Sequence, residues 1–517
     1  MISVALSDLV HGFEVALQPH NILACFIGVF VGNLVGVLPG MGVMATISIL
    51  LPLTFVLPPV ASILMLAGIY YGAQYGGAIC SILLNLPCHP PHAVTCLDGY
   101  PLTLQGRGGA ALGITMLGAF IGASFGILQM IVFSPLIVSI ALRFGPAEVC
   151  ALMVLGLLAG STLARGSPLK GVAMTLFGIV LSCVGTDMTD GTERFTLGFH
   201  ELGDGIEIVA LALGFFGVAE FLNSANRVRK IGNGRLRLKF SEMRPSRDDL
   251  KRSLPAICRG TLIGSLCSLI PGTGPTIASF ISYSVEKRVS KTPERFGRGA
   301  IEGVASPEAS THSSVQGDFI PTMSLGIPGD SVMALILAAL LIQGITPGPL
   351  LISEHPDVFW GLIASFWVGN ILLVALNVPM IGLWVRLLSI PYSYLYPSAL
   401  LFVCIGVYSA SNNMFQVEVT LVLGLVGLFL MWLGFHPAPM LLGFVLGPRV
   451  EENFRRAMII SNGDLRTFID QPISATLVAL SVVLIAVQIW VRLRARRSRP
   501  IAAATAAIRH AESLAEN

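Results

Sequence analysis

The residues of this chain whose types and spacing suit chemistry gather at four places where proline and glycine interrupt an apolar run. The first joins Pro39, Gly40 and Gly42 to Thr46, and the second is Asn85-Leu86-Pro87-Cys88. The third joins Pro271, Gly272 and Gly274 to Thr276 and Ser279, and the fourth runs from Ser324 through Gly326, Pro328 and Gly329 to Asp330. Proline removes a backbone donor and clashes with the turn before it, while glycine permits turns closed to other residues. The N–H and C=O groups freed at such a break cannot face lipid, so they must line a cavity or meet a partner. A helix that restarts after the break turns its N–H groups and positive dipole end into that cavity. The chemistry expected of matched breaks is therefore the binding of a small anion, with a packing kink as the alternative for any single one.

Titratable and hydroxyl side chains stand beside these breaks. Glu308 and Asp330 are carboxylates at membrane depth, which are expensive and by default functional, and with Asn85 they are the candidate ion-coupling residues. Thr311, His312 and Ser313 fall in a hydroxyl-rich stretch with Ser306, Ser310 and Ser314, suited to contacts with an anion or water. "CHPPHAVTC" (88–96) offers Cys88, His89, His92 and Cys96 as metal ligands, and a membrane-embedded metal-dependent enzyme is the competing reading. The spacing fits no standard zinc pattern, so no metal site, cofactor or catalytic residue is assigned. Glu302 is expected to pair with Arg298 four residues earlier on a helix. Tyr70, Tyr71, Gln74 and Tyr75 suit either a cavity lining or an interface belt, and Asn370 and Asn377 lie within an apolar span.

The elements that position these groups must be membrane helices. The 517 residues are 54% hydrophobic and 12% charged, with a mean hydropathy of +0.78. A soluble chain of this length could not hide that much apolar surface. Apolar runs of about 17–25 residues recur along almost the whole length. The expected fold is an all-α polytopic membrane protein of roughly ten to twelve transmembrane segments, with re-entrant or broken helices at the Pro-Gly motifs. Residues 1–20 lack a basic leader and carry Asp8 and Glu14, so no cleavable signal peptide is expected. Ten Lys/Arg against three acids in 227–252, and five Arg in 492–499, place both segments on the cytoplasmic side. Nucleic acid is not an expected partner of basic runs that flank apolar spans. The nine cysteines are mostly single and lie in apolar runs, where they serve as packing residues.

The basic segment divides the chain into a first membrane repeat (1–225), a linker (226–256), a second repeat (257–491) and a cytoplasmic tail (492–517). Each repeat runs through a Pro-Gly break, a polar patch and a second break: "GVLPGMG", "YYGAQYGGA" and "LLNLPC", then "SLIPGTG", "EGVASPEASTHSS" and "SLGIPGD". "LQG" at 104–106 has an echo in "IQG" at 342–344. Shared order across several breaks argues for internal duplication, a signature of secondary transporters. Whether the repeats are parallel or inverted stays open.

Several longer strings carry a resemblance. "LAGIYYGAQYGGAICSILLNLPC", "LDGYPLTLQGRGGAALG", "LIPGTGPTIASF", "EKRVSKTPERFGRGAIEGVASPE", "IQGITPGPLL" and "LGFVLGPRVEENFRRA" resemble the TctA family, the large membrane subunit of tripartite tricarboxylate transporters, over about residues 20 to 490. The resemblance implies a multi-pass protein of the bacterial inner membrane, working with a small four-helix membrane subunit and a periplasmic solute-binding protein, and driven by an ion gradient. No GxxxxGK[ST] phosphate loop occurs, as that implies. The family usually has Asn-Thr-Pro-Gly where this chain has Asn85-Leu86-Pro87-Cys88, and often Asn-Asn where it has Thr311-His312. Both departures bear on substrate more than on transport class, and tricarboxylates, dicarboxylates and aromatic acids all remain open.

No Lys or Arg occurs in 1–106 or 304–385, so a carboxylate substrate has no evident arginine clamp at these breaks. Half-helix dipoles amount to about half a charge each. Co-bound Na⁺, or protons on Glu308 or His312, are expected to supply the rest.

Overall fold

In the computed structural model the described residues are 2–38, 42–141, 143–161, 168–187, 191–225, 240–270, 273–387, 400–401, 403–408 and 411–486. Pro39, Gly40, Pro271 and Gly272 lie outside them, as does the first part of the expected linker, 226–239.

The chain is an all-α polytopic membrane protein. The first half comprises α1 (Ile2–Ala16), α2 (Pro19–Val37), α3 (Val43–Leu50), α4 (Pro59–Leu84), α5 (His92–Leu104), α6 (Gly108–Ala141), α7 (Pro146–Ser161) and α8 (Pro168–Ser182). After the short antiparallel pair β1 (Gly185–Thr186) and β2 (Glu193–Arg194) come α9 (Ile208–Ala212), a π-helical turn (Leu213–Val218) and α10 (Ala219–Ala225). The second half comprises α11 (Arg247–Ser268), α12 (Gly274–Val289), α13 (Glu302–Gly317), α14 (Phe319–Leu325), α15 (Ser331–Ile342), α16 (Leu351–Glu354), α17 (Pro356–Asn377), α18 (Ile381–Leu387), α19 (Met414–Trp432) and α20 (Ala438–Ile460). Among the described residues, five helices are long and apolar enough to cross a membrane: α2, α4, α6, α17 and α19.

Local sequence explains most boundaries. Pro19 and Pro59 open α2 and α4 at the first helical turn, where the missing N–H costs nothing. Ser246 and Asp249 form a reciprocal capping box at the start of α11, which therefore begins inside the segment read as linker. α5 and α15 end alike, with Gly106 (φ 75°) and Gly344 (φ 73°) in the left-handed region. In both, the next amide closes back onto the helix: Arg107 N–H on Leu102 O at 2.8 Å, and Ile345 N–H on Leu340 O at 2.9 Å.

Two helix crossings form the centre. α2 packs along α4, with Gly28, Gly32 and Gly36 set directly on the backbone of Met65, Ile69 and Ala73. α11 packs along α13, with Gly260 and Gly264 on the backbone of Ser306 and Ser310. A Cβ at any of these glycines would overlap the opposite main chain. The spacing is common to both: Gly28, Gly32 and Gly36 precede Pro39 by eleven, seven and three residues, as Gly260, Gly264 and Ser268 precede Pro271. Small residues at period four let membrane helices approach closely, where dispersion and not hydrophobicity drives association. α6 adds the same device against α13, with Gly122 on Ala309. Arg107 pairs with Asp249 across the halves, and Arg194 and Arg455 join the β1–β2 hairpin to α20 through Asp187 and Glu451.

One expected pair is not formed. Glu302 lies 3.7 Å from Arg295 and 4.0 Å from Arg252 instead of beside Arg298. α13 begins only at Glu302, so the helical spacing that would have joined 298 to 302 does not apply.

Candidate functional site

The second-half breaks converge. α14 ends at Gly326 (φ 71°), Ile327, Pro328 and Gly329 follow, and α15 restarts with Asp330 as its cap. Asp330 Oδ1 accepts from the amides of Val332 (2.9 Å) and Met333 (2.8 Å), satisfying donors that a helix start leaves free. Its Oδ2 accepts from the Tyr70 hydroxyl of α4 at 2.7 Å. Gly274, at the first position of α12 with φ 57°, would bring a Cβ to 3.2 Å from Asp330 Cβ. Gly329 N–H donates to Thr322 Oγ1 at 3.3 Å, and a Cβ there would meet Asp318 at 2.8 Å. Pro328 and Ser324 are buried in the same turn.

Helix α13 is buried from Gly303 to Gly317 although it carries Glu308, Ser310, Thr311, His312, Ser313, Ser314 and Gln316. Glu308 Oε1 accepts from the Thr95 hydroxyl of α5, and its Oε2 lies 4.0 Å from Nε2 of both His92 and His312. The His312 ring packs edge-on to Tyr75 at 4.4 Å, and Tyr75 donates to Asn370 at 3.1 Å. Buried oxygens of Ser310, Ser314, Gln316, Ser324 and Gln74 have no partner within the protein. Buried polar atoms are normally paired, so a cluster of such atoms around broken helices marks a place for a polar ligand or water.

The remaining expected residues fall into place as follows. Thr46 turns its hydroxyl back onto Gly42 O at 3.1 Å, at the start of α3. Asn85 caps α4 in the left-handed region (φ 55°), and both it and Pro87 are exposed. Ser279 donates to Pro91 O at 3.2 Å and to Thr276 O at 2.8 Å, tying α12 to the loop after the first-half break. Ser313 faces α11, bonded to Ser265 Oγ (2.6 Å) and Thr261 O (3.0 Å), and so serves that crossing. Tyr70, Tyr71 and Tyr75 are interior side chains, not an interface belt, and Asn377 bonds its own helix. Cys88 is half-buried, and the His89 and His92 rings lie 5.8 Å apart over Gly77. Among the described residues no group of three or more His, Cys, Asp or Glu is arranged to hold a metal, so the enzyme reading of this loop finds no support.

Three residues that sequence reasoning passed over are central. Asp318, joining α13 to α14, is fully buried with neither carboxylate oxygen partnered. It lies in the same Lys/Arg-free stretch as Glu308 and Asp330, which was the signal that could have found it. Gln129 of α6 donates to Ser265 O at 2.9 Å while its Oε1 is left unpartnered. Asp98 of α5 accepts at 2.8 Å from the amides of Gly297, Gly299 and Ala300, and from Tyr283 OH at 2.9 Å. That clasp fixes the loop that leads into α13.

Comparison with known proteins agrees with this architecture. The chain is 48% identical over 496 residues, 96% of its length and 98% of the relative's, to an "uncharacterized 52.8 kDa protein in TAR-I ttuC' 3'region" of Agrobacterium vitis. It is 52% identical over 236 residues, 46% of its length and 98% of the relative's, to an "uncharacterized protein in TAR-II ttuC' 3'region" of the same organism. No solved structure matches. Residues 22–442 match the model of the tripartite tricarboxylate transporter TctA family, and with the glycine-packed crossings and paired helix breaks around a buried polar helix, the chain belongs to that family.

Proposed function

We propose that this chain is the large transmembrane subunit of a binding-protein-dependent secondary transporter, importing small organic carboxylates across the bacterial inner membrane. The observation that carries the reading is the meeting of Gly274 with Asp330, which puts the helix starts of α12 and α15 together beside the polar helix α13. Helix N-termini that meet suit an anion; α15 spends two of its amides on Asp330, which leaves the start of α12 for a substrate carboxylate, and transporter sites are built from such discontinuous helices near the bilayer midplane. The common glycine spacing before both Pro-Gly motifs supports internal duplication. So does the fit of Leu84-Asn85-Leu86-Pro87 onto Leu325-Gly326-Ile327-Pro328, each with a left-handed cap at its second residue. A small membrane subunit and a periplasmic binding protein are the partners the family suggests, and a cation gradient is the driving force.

Reconstitution tests this. The chain, the small subunit and the binding protein, taken from neighbouring genes, are placed in proteoliposomes and uptake of labelled carboxylates is followed. Uptake is expected only with all three. Full-rate, high-affinity uptake by this chain alone would overturn the reading.

A further inference from the structure

We propose that Asp318 is the carboxylate ligand of a bound sodium ion, at the junction of α13 with α14. Of the three acids in the buried centre, Asp330 has both oxygens hydrogen-bonded and Glu308 has one. Asp330 takes two backbone amides on one oxygen and the Tyr70 hydroxyl on the other. Glu308 takes Thr95 and faces His92 and His312. Asp318 has no partner on either oxygen and is shut from solvent. Residues 304–385, which hold Asp318, carry no Lys or Arg, and Asp330, of the same sign, follows Gly329, which sits against Asp318. An unpaired buried carboxylate is among the costliest groups a protein can hold. Protonation would remove the charge but engage a single oxygen; a cation would engage both and gather the neighbouring side-chain oxygens as well.

The neighbourhood supplies further oxygen ligands and no soft ones in sufficient number for a transition metal. Gly317 sits against Ser268 Oγ, the last residue of α11, and a Cβ there would come within 3.7 Å of the unpartnered Gln129 Oε1. α11 ends at Ser268, against Gly317, so its negative dipole end lies beside the residue that precedes Asp318, which favours a cation. Gly329 leaves room for the carboxylate, since a Cβ there would stand 3.0 Å from Asp318 Cγ. One free carboxylate with neutral oxygens matches a monovalent hard cation, and coordination by helix ends at a break is the usual pattern in transporters.

The role of this ion in coupling rests on the importer reading; the binding site does not. Neutralising Asp318 removes a negative charge next to the meeting helix starts, where a substrate carboxylate would be held. Sodium and substrate should then tighten each other by the same factor.

The probe is sodium itself, on the purified full chain in lipid nanodiscs. Binding of ²²Na⁺ is measured with choline, potassium and lithium as competitors, and thermal melting is compared in sodium and choline. The wild type should bind one sodium saturably and melt higher in sodium. Asp318→Asn should weaken binding by roughly tenfold or more and abolish the sodium increment. In choline it should melt no lower than the wild type, because an unpaired buried charge has gone. Wild-type sodium binding by Asp318→Asn, a wild type indifferent to sodium, or an Asp318→Asn that fails to fold in choline would each overturn the site. Sodium bound at Asp318 in a protein that imports no carboxylate would overturn the importer reading and leave the site standing.

Discussion

Helix α4, lying on α2, carries Tyr70, Tyr71, Gln74 and Tyr75; helix α13, lying on α11, carries Glu308, His312, a run of hydroxyls and, at its end, Asp318. The two crossings share one glycine spacing and one order of breaks, yet one delivers aromatic groups and the other charge. What they hold in common is the close backbone approach, which small residues at period four impose whatever the other faces carry. Their difference is chemical, and it is joined across the centre: Tyr70 of the first half donates to Asp330 of the second, and Thr95 of the first to Glu308 of the second. At these two contacts the first half supplies donors to carboxylates of the second, whereas at Asp98 the relation is reversed. On the proposed reading, a duplicated scaffold carries unlike contents, which suits a site for an anion with a co-bound cation.

The largest expected effect tests the common part. Gly32→Val and Gly264→Val each drive a branched side chain into the opposite main chain, at a cost of about 3 kcal/mol or more. Both should lose most folded protein in melting and size-exclusion measurements. Tolerance in one half alone would break the structural equivalence of the crossings. Next is Asp98, whose counterpart region in α15 holds no such clasp. Asp98→Ala strands three amides and a tyrosine hydroxyl and should cost about 3–5 kcal/mol, with Asp98→Asn clearly milder because it keeps an acceptor. Equal melting of the two variants would show that the carbonyl acceptor does not carry the clasp.

A smaller effect sharpens the contrast in content. Tyr70→Phe removes one donor from Asp330 and should cost about 1 kcal/mol while leaving the fold intact. Tyr75→Phe, which loses only its bond to Asn370, should leave carboxylate uptake closer to wild type than Tyr70→Phe does. The reverse order would place the working aromatic on the other side of the site. The smallest effect lies at the surface seam between the halves. Burial pushes the Asp249 carboxyl up, but the Arg107 guanidinium and the Ser246 hydroxyl and amide outweigh this and hold it below the usual carboxylate range. A depressed folded value means stability that is present above the unfolded value and lost as pH falls through the folded one. Arg107→Ala should therefore flatten the acid limb of a melting-temperature profile, by no more than about 1 kcal/mol because Arg107 is partly exposed. An unchanged acid limb would assign that stability to Ser246 alone.

The membrane class, the helical fold, the family and the breaks were legible because composition, apolar run length and Pro-Gly chemistry are local properties. The engaged states of Asp330 and Ser313 were not, because a cap or a cross-helix bond depends on which face a residue turns, and a helix polar all round, such as α13, has no apolar stripe to fix it. Asp318 was passed over for a related reason: it lies outside the Pro-Gly strings and becomes conspicuous only once both oxygens are seen to lack partners. Asp98 was visible only as part of a family string, since the three amides it holds come from residues some two hundred positions later. Glu302 was misassigned because the helix starts at that residue.

The most direct test of the account is uptake of labelled carboxylate into proteoliposomes holding the three-component system, with sodium and pH gradients imposed separately. The account predicts that an inward sodium gradient alone drives accumulation and that Gly272→Val, in protein that still reaches the membrane, abolishes it. Accumulation indifferent to the sodium gradient and unharmed by that substitution would contradict it.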